Sequence, residues 1–578
     1  MPGDFNKRIK RRIIVIQFLM VISILLLCAK SFDIQILKGK ELSEKAENDY
    51  SRNITIKGER GQILDQNMNK LGASIDAVTI TACPAKINNP GDAAKKIAGL
   101  LSINEKKLKT TLSSKRMFAW VERGVTPDQA EKVRKLNIAG IYFEKDSRRY
   151  YPNRSLAAQV IGFTGTDDIG LEGLECRYNS VLEGRTRKIS FTRDGNGRIL
   201  DYEKKWNSEL KGDSIVLTID KKIQFLSEQA LEKAVTHHQA RSGIALVMKP
   251  GTGELLAIAH YPEFNPNNYS SYNRDTYRNR AVTDPFEPGS AMKVFTAAAA
   301  LEKGVTPKTI IFCEKGTYRI GSFTIHDTHS YEWLTISQII QLSSNIGAAK
   351  ITESIGDKAL YNCLSGFGFG SRTDIDITGE TSGSLMPYRK WSKIDSGAIS
   401  FGQGISASAL QLITGISAIA NGGNLMKPML VKKIISNQGE TIKEYQPEIV
   451  RRAITAATAH ELKAMMNLVV SEEGTGTKAA MDGYEVCGKT GTAQKVSDGG
   501  KGYARNKYIS VFAGFAPLEN PELAILVIVD EPQKQYYGGD VAAPAFKTIM
   551  AESFNYMNIA PGKSKNMVAQ VVSEGGKN

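Results

Sequence analysis

The segment Glu287-Pro288-Gly289-Ser290-Ala291-Met292-Lys293-Val294-Phe295 places a hydroxyl and an amine close together. A Pro-Gly pair can lead a chain into a helix, which puts Ser290 in the first turn, where backbone N–H groups are free. The following helix, predicted over Ala291 to Lys303, is apolar almost all round and is therefore predicted to be buried. Lys293 lies one turn after Ser290 and shares its face. A buried lysine binds its proton weakly and can act as a general base toward a serine.

A second polar stretch supplies groups that such a pair would need. Gln341-Leu342-Ser343-Ser344-Asn345 lies between two predicted helices. The hydroxyl of Ser343 could relay a proton, and the amide of Asn345 could orient the lysine or a substrate carbonyl.

A third stretch, Gly488-Lys489-Thr490-Gly491-Thr492, falls within a predicted strand. Alternation predicts that Lys489 and Gly491 face one side of the sheet and Thr490 and Thr492 the other. A glycine permits close approach of a ligand backbone, so this edge could bind an extended peptide by strand addition.

The chain has 578 residues and a formal net charge of +15, with ordinary globular composition. This length suggests three or four units at roughly 150 residues per domain. The positive charge is spread thinly outside the N-terminus, so no nucleic-acid partner is predicted. The cysteines show no metal-ligand spacing and are predicted to be reduced and structural: Cys28, Cys83, Cys176, Cys313, Cys363 and Cys487.

The N-terminus has the pattern of a membrane anchor. Basic residues between Lys7 and Arg12 precede an apolar run from Ile13 to Ala29. We predict a cytoplasmic tail over 1–12 and a transmembrane helix over 13–33, with the rest of the chain outside the cytoplasm. A cleaved signal peptide is the alternative, but the apolar run is not followed by a site of small residues.

The remainder divides by pattern into two folded parts and a tail. Residues 34–211 mix short strands with three turn-rich stretches, and we predict a scaffold or docking module. Residues 212–558 show a helix, two strands, a helical block, three strands and a helix, which predicts an α+β domain whose sheet is assembled from both ends. Residues 559–578 are predicted to be a flexible tail.

Together and in this order, S-x-x-K, an S-x-N element and K-T-G match the motif set of penicillin-recognising serine enzymes. The chain resembles the class B penicillin-binding proteins over nearly its full length, and within them the monofunctional cell-division D,D-transpeptidases. Further elements carry this resemblance: Arg60 to Asp65, Arg148 to Pro152, Asn279-Arg280-Ala281-Val282 and Gly402-Gln403-Gly404.

The resemblance implies a fold and a set of partners. The fold would be α+β: a β-lactamase-like transpeptidase domain with a central antiparallel sheet, a mixed pedestal domain for dimerisation or docking, and one transmembrane helix. The partners would be peptidoglycan stem pentapeptides, β-lactams as inhibitors, the membrane, a glycan polymerase of the FtsW type and other division proteins. No cofactor is implied, and the acceptor amine, on diaminopimelate or lysine, stays open.

The resemblance also implies the catalytic roles. Ser290 would attack the carbonyl between the two D-alanines of a stem pentapeptide and expel the terminal D-alanine. Lys293 would accept the serine proton, Ser343 would help pass it to the leaving amine, and Asn345 would hold Lys293 and the substrate amide. A neighbouring stem peptide would then take the acyl group, and β-lactams would acylate the same serine.

Substrate binding is implied for the K-T-G strand. Lys489, Thr490 and Thr492, with Gly491 between the threonines, would bind the terminal carboxylate. The backbone N–H groups of Ser290 and Thr492 would form the oxyanion hole.

Several alternatives use the same residues. Gly483 to Thr490 fits the phosphate loop G-x-x-x-x-G-K-[ST], but a strand rather than a loop and helix is predicted there, so we reject an NTPase. A β-lactamase would need a base for its deacylating water, and Glu380 is the candidate, although it is predicted to be an exposed turn residue. A β-lactam receptor would need a cytoplasmic signalling segment, whereas about a dozen residues precede the anchor. An elongation-type transpeptidase remains a further alternative.

One histidine pair has metal-ligand residue types. His326 and His329 are three residues apart in a predicted loop. Two histidines need a third ligand to hold zinc, so no metal site is predicted.

Overall fold

The computed structural model of the chain describes residues 3–192, 209–321, 323–497 and 502–562. The chain forms two compact units. The first contains Met1–Glu59 and Gly184–Lys211, and the second contains Arg60–Glu183 and Gly212–Asn578.

The helices of the described chain are numbered in chain order. They are α1 Gly3–Phe32, α2 Gly39–Tyr50, α3 Pro90–Leu101, α4 Glu105–Leu112, α5 Pro127–Arg134, α6 Ala158–Ile161, α7 Gly173–Arg177, α8 Asn179–Leu182, α9 Lys221–His237, α10 Arg280–Thr283, α11 Lys293–Glu302, α12 Ile336–Leu342, α13 Asn345–Ile355, α14 Asp357–Gly366, α15 Lys393–Ser400, α16 Ala409–Ala420, α17 Ala456–Leu468, α18 Gly538–Val541 and α19 Ala543–Met557.

The strands are numbered in the same way. They are β1 Ser51–Lys57, β2 Ile63–Leu64, β3 Lys70–Ala82, β4 Ala119–Val125, β5 Ile141–Tyr150, β6 Thr186–Thr192, β7 Ser214–Leu217, β8 Ser242–Met248, β9 Leu255–Tyr261, β10 Ile310–Phe312, β11 Thr317–Ile320, β12 Phe323–His326, β13 Trp333–Thr335, β14 Asn424–Met426, β15 Val431–Ile435, β16 Thr441–Glu444, β17 Ile449–Arg452, β18 Cys487–Val496, β19 Tyr503–Ala516 and β20 Leu523–Asp530.

The first unit is dominated by a long apolar helix. Helix α1 spans 30 residues and continues into a π-helical turn at Asp33–Leu37. Among the described residues, the stretch Asn6–Leu37 is the one helix long and apolar enough to cross a membrane, and its hydrophobic side chains are exposed. The predicted span 13–33 falls within it. Strands β1 and β6 pair antiparallel in the same unit.

The second unit contains a five-stranded antiparallel sheet in the order β18-β19-β20-β8-β9. Its strands alternate between two cores: Phe512 of β19 packs with residues of α9 and α19, whereas its neighbour Val511 packs with residues of α16 on the other face. This arrangement follows from the period-2 pattern of a strand buried on both faces. The prediction of an α+β domain with a central antiparallel sheet is confirmed.

A second, seven-stranded sheet lies in the same unit, in the order β16-β15-β7-β2-β3-β4 with β5 also paired to β3. Strands β2 and β7 run parallel, and the other pairs are antiparallel. The sheet therefore joins strands from both sides of the predicted boundary between residues 211 and 212. That boundary stays a prediction.

The helix that follows Ser290 begins later than predicted. Residues Gly289–Met292 form a 3₁₀ turn, and α11 starts at Lys293. Gly289 has φ +54° and its N–H donates to the carbonyl of Gly402 at 3.2 Å, so the backbone is held in a tight turn before the helix. Ser290 accordingly lies in the turn that leads into α11.

Candidate active site

Lys293 is a completely buried amine at the site. Its side chain is 0% exposed, and its Nζ donates to the backbone carbonyl of Ser343, to the Ser343 Oγ at 3.2 Å and to the Asn345 Oδ1 at 2.7 Å. Burial lowers the pKa of Lys293 to about 7, and the carboxylate of Asp327 opposes this shift in part. An amine with such a pKa can accept a proton near neutral pH.

The Ser343–Asn345 turn connects two helices. Ser343 ends α12 in the left-handed region, with φ +61° and ψ +41°, and Ser344 caps α13 by accepting a hydrogen bond from the Gly347 N–H. This turn points the Ser343 hydroxyl toward a second amine, because the Nζ of Lys489 donates to the Ser343 Oγ at 2.9 Å. One hydroxyl therefore bridges Lys293 and Lys489.

Lys489 is also completely buried, and its Nζ further contacts the carbonyl oxygen of Thr490 at 3.1 Å and its Oγ1 at 3.3 Å. Burial lowers the pKa of Lys489 well below its usual range, and the nearby charge of Lys293 adds to this effect. The ammonium groups of Lys293 and Lys489 both contact the Ser343 Oγ. When both are charged they repel each other, because the protein interior screens charges poorly.

Asp327 also belongs to the site, although it lies outside the three sequence motifs. Its carboxylate accepts hydrogen bonds from the Ser344 hydroxyl at 2.5 Å, from the backbone N–H of Asn345 and from that of Ile346 at 3.1 Å. An acidic group at a helix N-terminus is favourable for the free N–H groups and the helix dipole. Asp327 thus fixes the start of α13. Its position between two histidines was the available signal, but that stretch was predicted to be a loop without a site.

Strand β18 presents the K-T-G residues in alternation, as predicted. A Cβ on Gly491 would lie 2.9 Å from the carbonyl of Pro288, so this face of the strand packs against the turn that carries Ser290. On the other face, the Thr490 hydroxyl is 2.8 Å from the Thr475 hydroxyl, and the Thr492 Oγ1 accepts a hydrogen bond from the Gly538 N–H at 3.1 Å.

These elements enclose a cleft of about 850 Å³. Five predicted site residues line it: Ser290, Ser343, Asn345, Thr490 and Thr492. The structure therefore brings the three motifs together around one cavity, with Lys293 and Lys489 buried directly beneath Ser343.

The two histidines of the predicted loop line the same cleft. His326 ends strand β12 rather than lying in a loop, and its carbonyl accepts a hydrogen bond from the Asn345 Nδ2 at 2.9 Å. Within the described ranges, no group of three His, Cys, Asp or Glu side chains is placed to hold a metal.

The structure bears on two of the alternative functions, a β-lactamase that uses Glu380 and an NTPase with a phosphate loop. Glu380 was predicted to be exposed, and this is wrong: it is 8% exposed, and its carboxylate accepts hydrogen bonds from the Thr373 N–H and hydroxyl and from the Asp374 N–H. These hydrogen bonds hold the Glu380 side chain within its own turn. Lys489 and Thr490 lie within strand β18, which continues to Val496, so the strand–loop–helix geometry of a phosphate loop is not formed around them.

Two protein families match this chain. The family described as the penicillin binding protein transpeptidase domain matches residues 243–551, and the one described as the penicillin-binding protein dimerisation domain matches residues 55–217.

Similar proteins include a probable peptidoglycan D,D-transpeptidase PenA from Neisseria meningitidis, 37% identical over 94% of this chain and 93% of the relative. The peptidoglycan D,D-transpeptidase FtsI from Escherichia coli is 34% identical over 91% of this chain and 89% of the relative. Stage V sporulation protein D from Bacillus subtilis is 33% identical over 97% and 88%, respectively.

Among solved structures, penicillin binding protein 3 from Mycobacterium tuberculosis complexed with aztreonam superimposes with a TM-score of 0.69. It is 28% identical, and the match covers 88% of this chain and 98% of that one.

Proposed function

The chain belongs to the class B penicillin-binding proteins, the peptidoglycan D,D-transpeptidases, and from this premise we propose that Ser290 is its acyl-forming nucleophile. The observation that carries the proposal is Lys293, a lysine 0% exposed whose Nζ contacts Ser343 and Asn345 beneath the cleft that Ser290 lines. A buried amine poised to be neutral is the partner that a serine hydroxyl needs to become nucleophilic.

In the proposed first half-reaction, the Ser290 Oγ attacks the carbonyl between the two D-alanines and transfers its proton to Lys293. The negative charge on the carbonyl oxygen is stabilised by the backbone N–H groups of Ser290 and Thr492, at about 3 kcal/mol per donor. The C–N bond then breaks, the Ser343 hydroxyl passes a proton to the leaving amine, and D-alanine departs. Ser290 is left as an ester.

In the second half-reaction, the amine of a neighbouring stem peptide attacks the ester. The amine loses a proton to the lysine–serine pair, the ester C–O bond breaks, and the Ser290 hydroxyl is restored. The product is an amide cross-link between two stem peptides. β-Lactams acylate Ser290 by the same attack, but their ring-opened product keeps the leaving amine attached.

The substrate carboxylate is proposed to bind on strand β18. The hydroxyls of Thr490 and Thr492 face the cleft, and Lys489 supplies positive charge from beneath them through its contacts to Ser343 and Thr490. A carboxylate arriving there favours the charged form of Lys489, against the burial that lowers its pKa.

Labelling with a fluorescent penicillin tests the assignment of Ser290. We expect one covalent adduct, on the tryptic peptide that contains Ser290, and its loss in Ser290→Ala. An adduct on another residue, or an adduct retained by Ser290→Ala, would contradict the proposal. Persistence of the adduct for many minutes distinguishes a transpeptidase from a β-lactamase, which hydrolyses it.

We also infer the topology and domain roles. The basic residues from Lys7 to Arg12 favour a cytoplasmic N-terminus, so the span over 13–33 would leave residues 34–211 as a pedestal and 212–558 as the transpeptidase domain outside the cytoplasm. A cysteine-reactive reagent that does not cross membranes should label a cysteine placed in the exposed turn at Gly251 in intact spheroplasts. Labelling only after lysis would show the opposite orientation, with residue 251 in the cytoplasm.

A septal role, beside a glycan polymerase and other division proteins, is the proposed cellular function. It is supported by the similarity to proteins named FtsI, while the similarity to a sporulation protein provides the contrasting hypothesis. Depletion should give filamentous cells if the protein acts in division. Rounded cells would indicate an elongation role, and normal vegetative growth a role confined to sporulation.

A further inference from the structure

The turn ahead of Ser290 contains a carboxylate that the proposed chemistry does not use. Glu287 is half-buried three residues before Ser290. Its Oε1 accepts a hydrogen bond from the backbone N–H of Gly404 at 2.9 Å, and its Oε2 accepts one from the Tyr503 hydroxyl at 3.1 Å. One side chain thus connects the turn after α15 with the first residue of β19.

The nucleophile turn is packed between the turn after α15, which Glu287 contacts directly, and β18, the strand paired with the β19 that Glu287 also contacts. On one side, the Gly289 N–H donates to the Gly402 carbonyl at 3.2 Å. On the other side, a Cβ on Gly491 of β18 would lie 2.9 Å from the Pro288 carbonyl. The backbone ahead of Ser290 is therefore in direct contact with both neighbours.

Tyr503 connects this turn to the substrate strand. It pairs with Val496, the last residue of β18, in the β18–β19 ladder. The hydrogen bond from Tyr503 to Glu287 consequently ties the end of the hairpin that contains Thr490 and Thr492 to the turn that carries Ser290. The hydrogen bond from the Gly404 N–H to Glu287 likewise ties the neighbouring residue Gln403, which lines the cleft, to the turn that carries Ser290.

We propose that Glu287 is a positioning residue that sets the separation between Ser290 and the substrate-binding edge of β18. This inference rests on the proposed function, in which the substrate carboxylate lies on β18 while its carbonyl carbon must reach the Ser290 Oγ. Displacing reacting groups by about 1 Å can cost a large factor in rate. Glu287 itself lies outside the set of cleft-lining residues and acts through the turn.

The test is a stopped-flow measurement with a fluorescent penicillin on the full-length protein in detergent. It separates the rate constant of acylation from the affinity of the non-covalent penicillin complex that precedes it. Tyr503→Phe removes one hydroxyl and leaves the ring. We expect it to lower the acylation rate constant about three- to tenfold, as for loss of one hydrogen bond, with unchanged affinity and thermal midpoint. Glu287→Ala should lower it further, and Glu287→Gln, which keeps one acceptor, should recover part of the loss.

Tyr484→Phe is the matched control, because its hydroxyl donates to the carbonyl of Ile559 at 2.7 Å, away from the turn. It should acylate like the wild type. The proposal is wrong if Tyr503→Phe acylates at the wild-type rate, if both tyrosine variants lose rate equally, or if each loss follows a lowered thermal midpoint. Failure of the proposed function would be seen separately, as absence of a Ser290 adduct in the wild type.

Discussion

At the scale of single residues, the proposed chemistry depends on how the Ser343 hydroxyl, which lines the cleft, accommodates two buried amines. The Ser343 Oγ lies 3.2 Å from the Nζ of Lys293 and 2.9 Å from that of Lys489. Burial lowers the pKa of both lysines, and the charge of Lys293 lowers the pKa of Lys489 further. One ammonium and one free amine would satisfy these contacts: the ammonium donates to the hydroxyl, and the hydroxyl donates to the free amine.

This arrangement predicts the pH dependence of acylation. The pKa of Lys293 is lowered to about 7, so the neutral form, which is proposed to accept the serine proton, is lost as the pH falls below that value. The second-order rate constant for penicillin acylation should rise about tenfold per pH unit between pH 5 and 6.5 and level off above pH 8.

Lys293→Arg is the informative variant in this pH series, since a guanidinium stays charged throughout the range. We expect its rate to be very low at every pH, without the rise seen in the wild type. A wild-type rate that is constant from pH 5 to 8, or that falls as the pH rises, would show that Lys293 is not the base.

At the scale of elements, the site depends on the close approach of the Gly289–Met292 turn to two neighbouring segments, the turn after α15 and strand β18. Gly402 has φ +85°, and a Cβ there would lie 2.2 Å from the carbonyl oxygen of Gly289. Real Cβ atoms do not come so close to a carbonyl oxygen, so the turn carrying Ser290 would have to move.

We therefore predict that Gly402→Ala reduces acylation at least about a hundredfold, because it displaces the nucleophile. Gly422→Ala is the matched control: Gly422 also has a positive φ, +61°, but a Cβ there meets nothing within 4 Å. Its backbone strain should cost about 1–2 kcal/mol of stability and leave the acylation rate unchanged. Equal losses of activity in the two variants would attribute the effect to strain alone.

The helices and strands show which parts of the fold a sequence pattern can predict. The strands of the five-stranded sheet and the helices α9 and α19 were predictable, because burial on one or two faces leaves a local period in the sequence. The start of α11 was not, since the tight turn depends on a contact between Gly289 and Gly402, which are far apart in the chain.

The same distinction applies within the site. The three motifs predicted which residues meet in the cleft. The burial of Glu380 and the role of Asp327 depend on particular hydrogen bonds to backbone groups, in the turn at Thr373 in one case and at the start of α13 in the other. A polar residue in a turn carries no periodic signal that distinguishes a solvated side chain from one that caps a backbone segment.

At the scale of the whole molecule, two arginines distant in sequence, Arg60 before β2 and Arg149 in β5, converge on one buried carboxylate in α7 of the second unit. Glu175 is 0% exposed, and it accepts hydrogen bonds from the Nε of Arg60 and from the Nε of Arg149, each at 2.6 Å. Arg149 also donates to the carbonyl of Gly61. The network fixes the segment that leads into the seven-stranded sheet, and its three charged side chains lie outside the set of residues that line the cleft.

Removing the carboxylate should therefore affect stability much more than acylation. Glu175→Ala leaves two buried guanidinium groups without their counter-charge, which costs about 3–5 kcal/mol, and we expect the thermal midpoint of the detergent-solubilised protein to fall by about 5 °C or more. Asp167→Asn is the control, because the pair between Asp167 and Arg123 is exposed at 2.8 Å and should contribute less than about 1 kcal/mol. At a temperature where both variants are folded, each should acylate at the wild-type rate. A slow Glu175→Ala protein with an unchanged midpoint would instead mean that the network transmits a conformational constraint to the cleft.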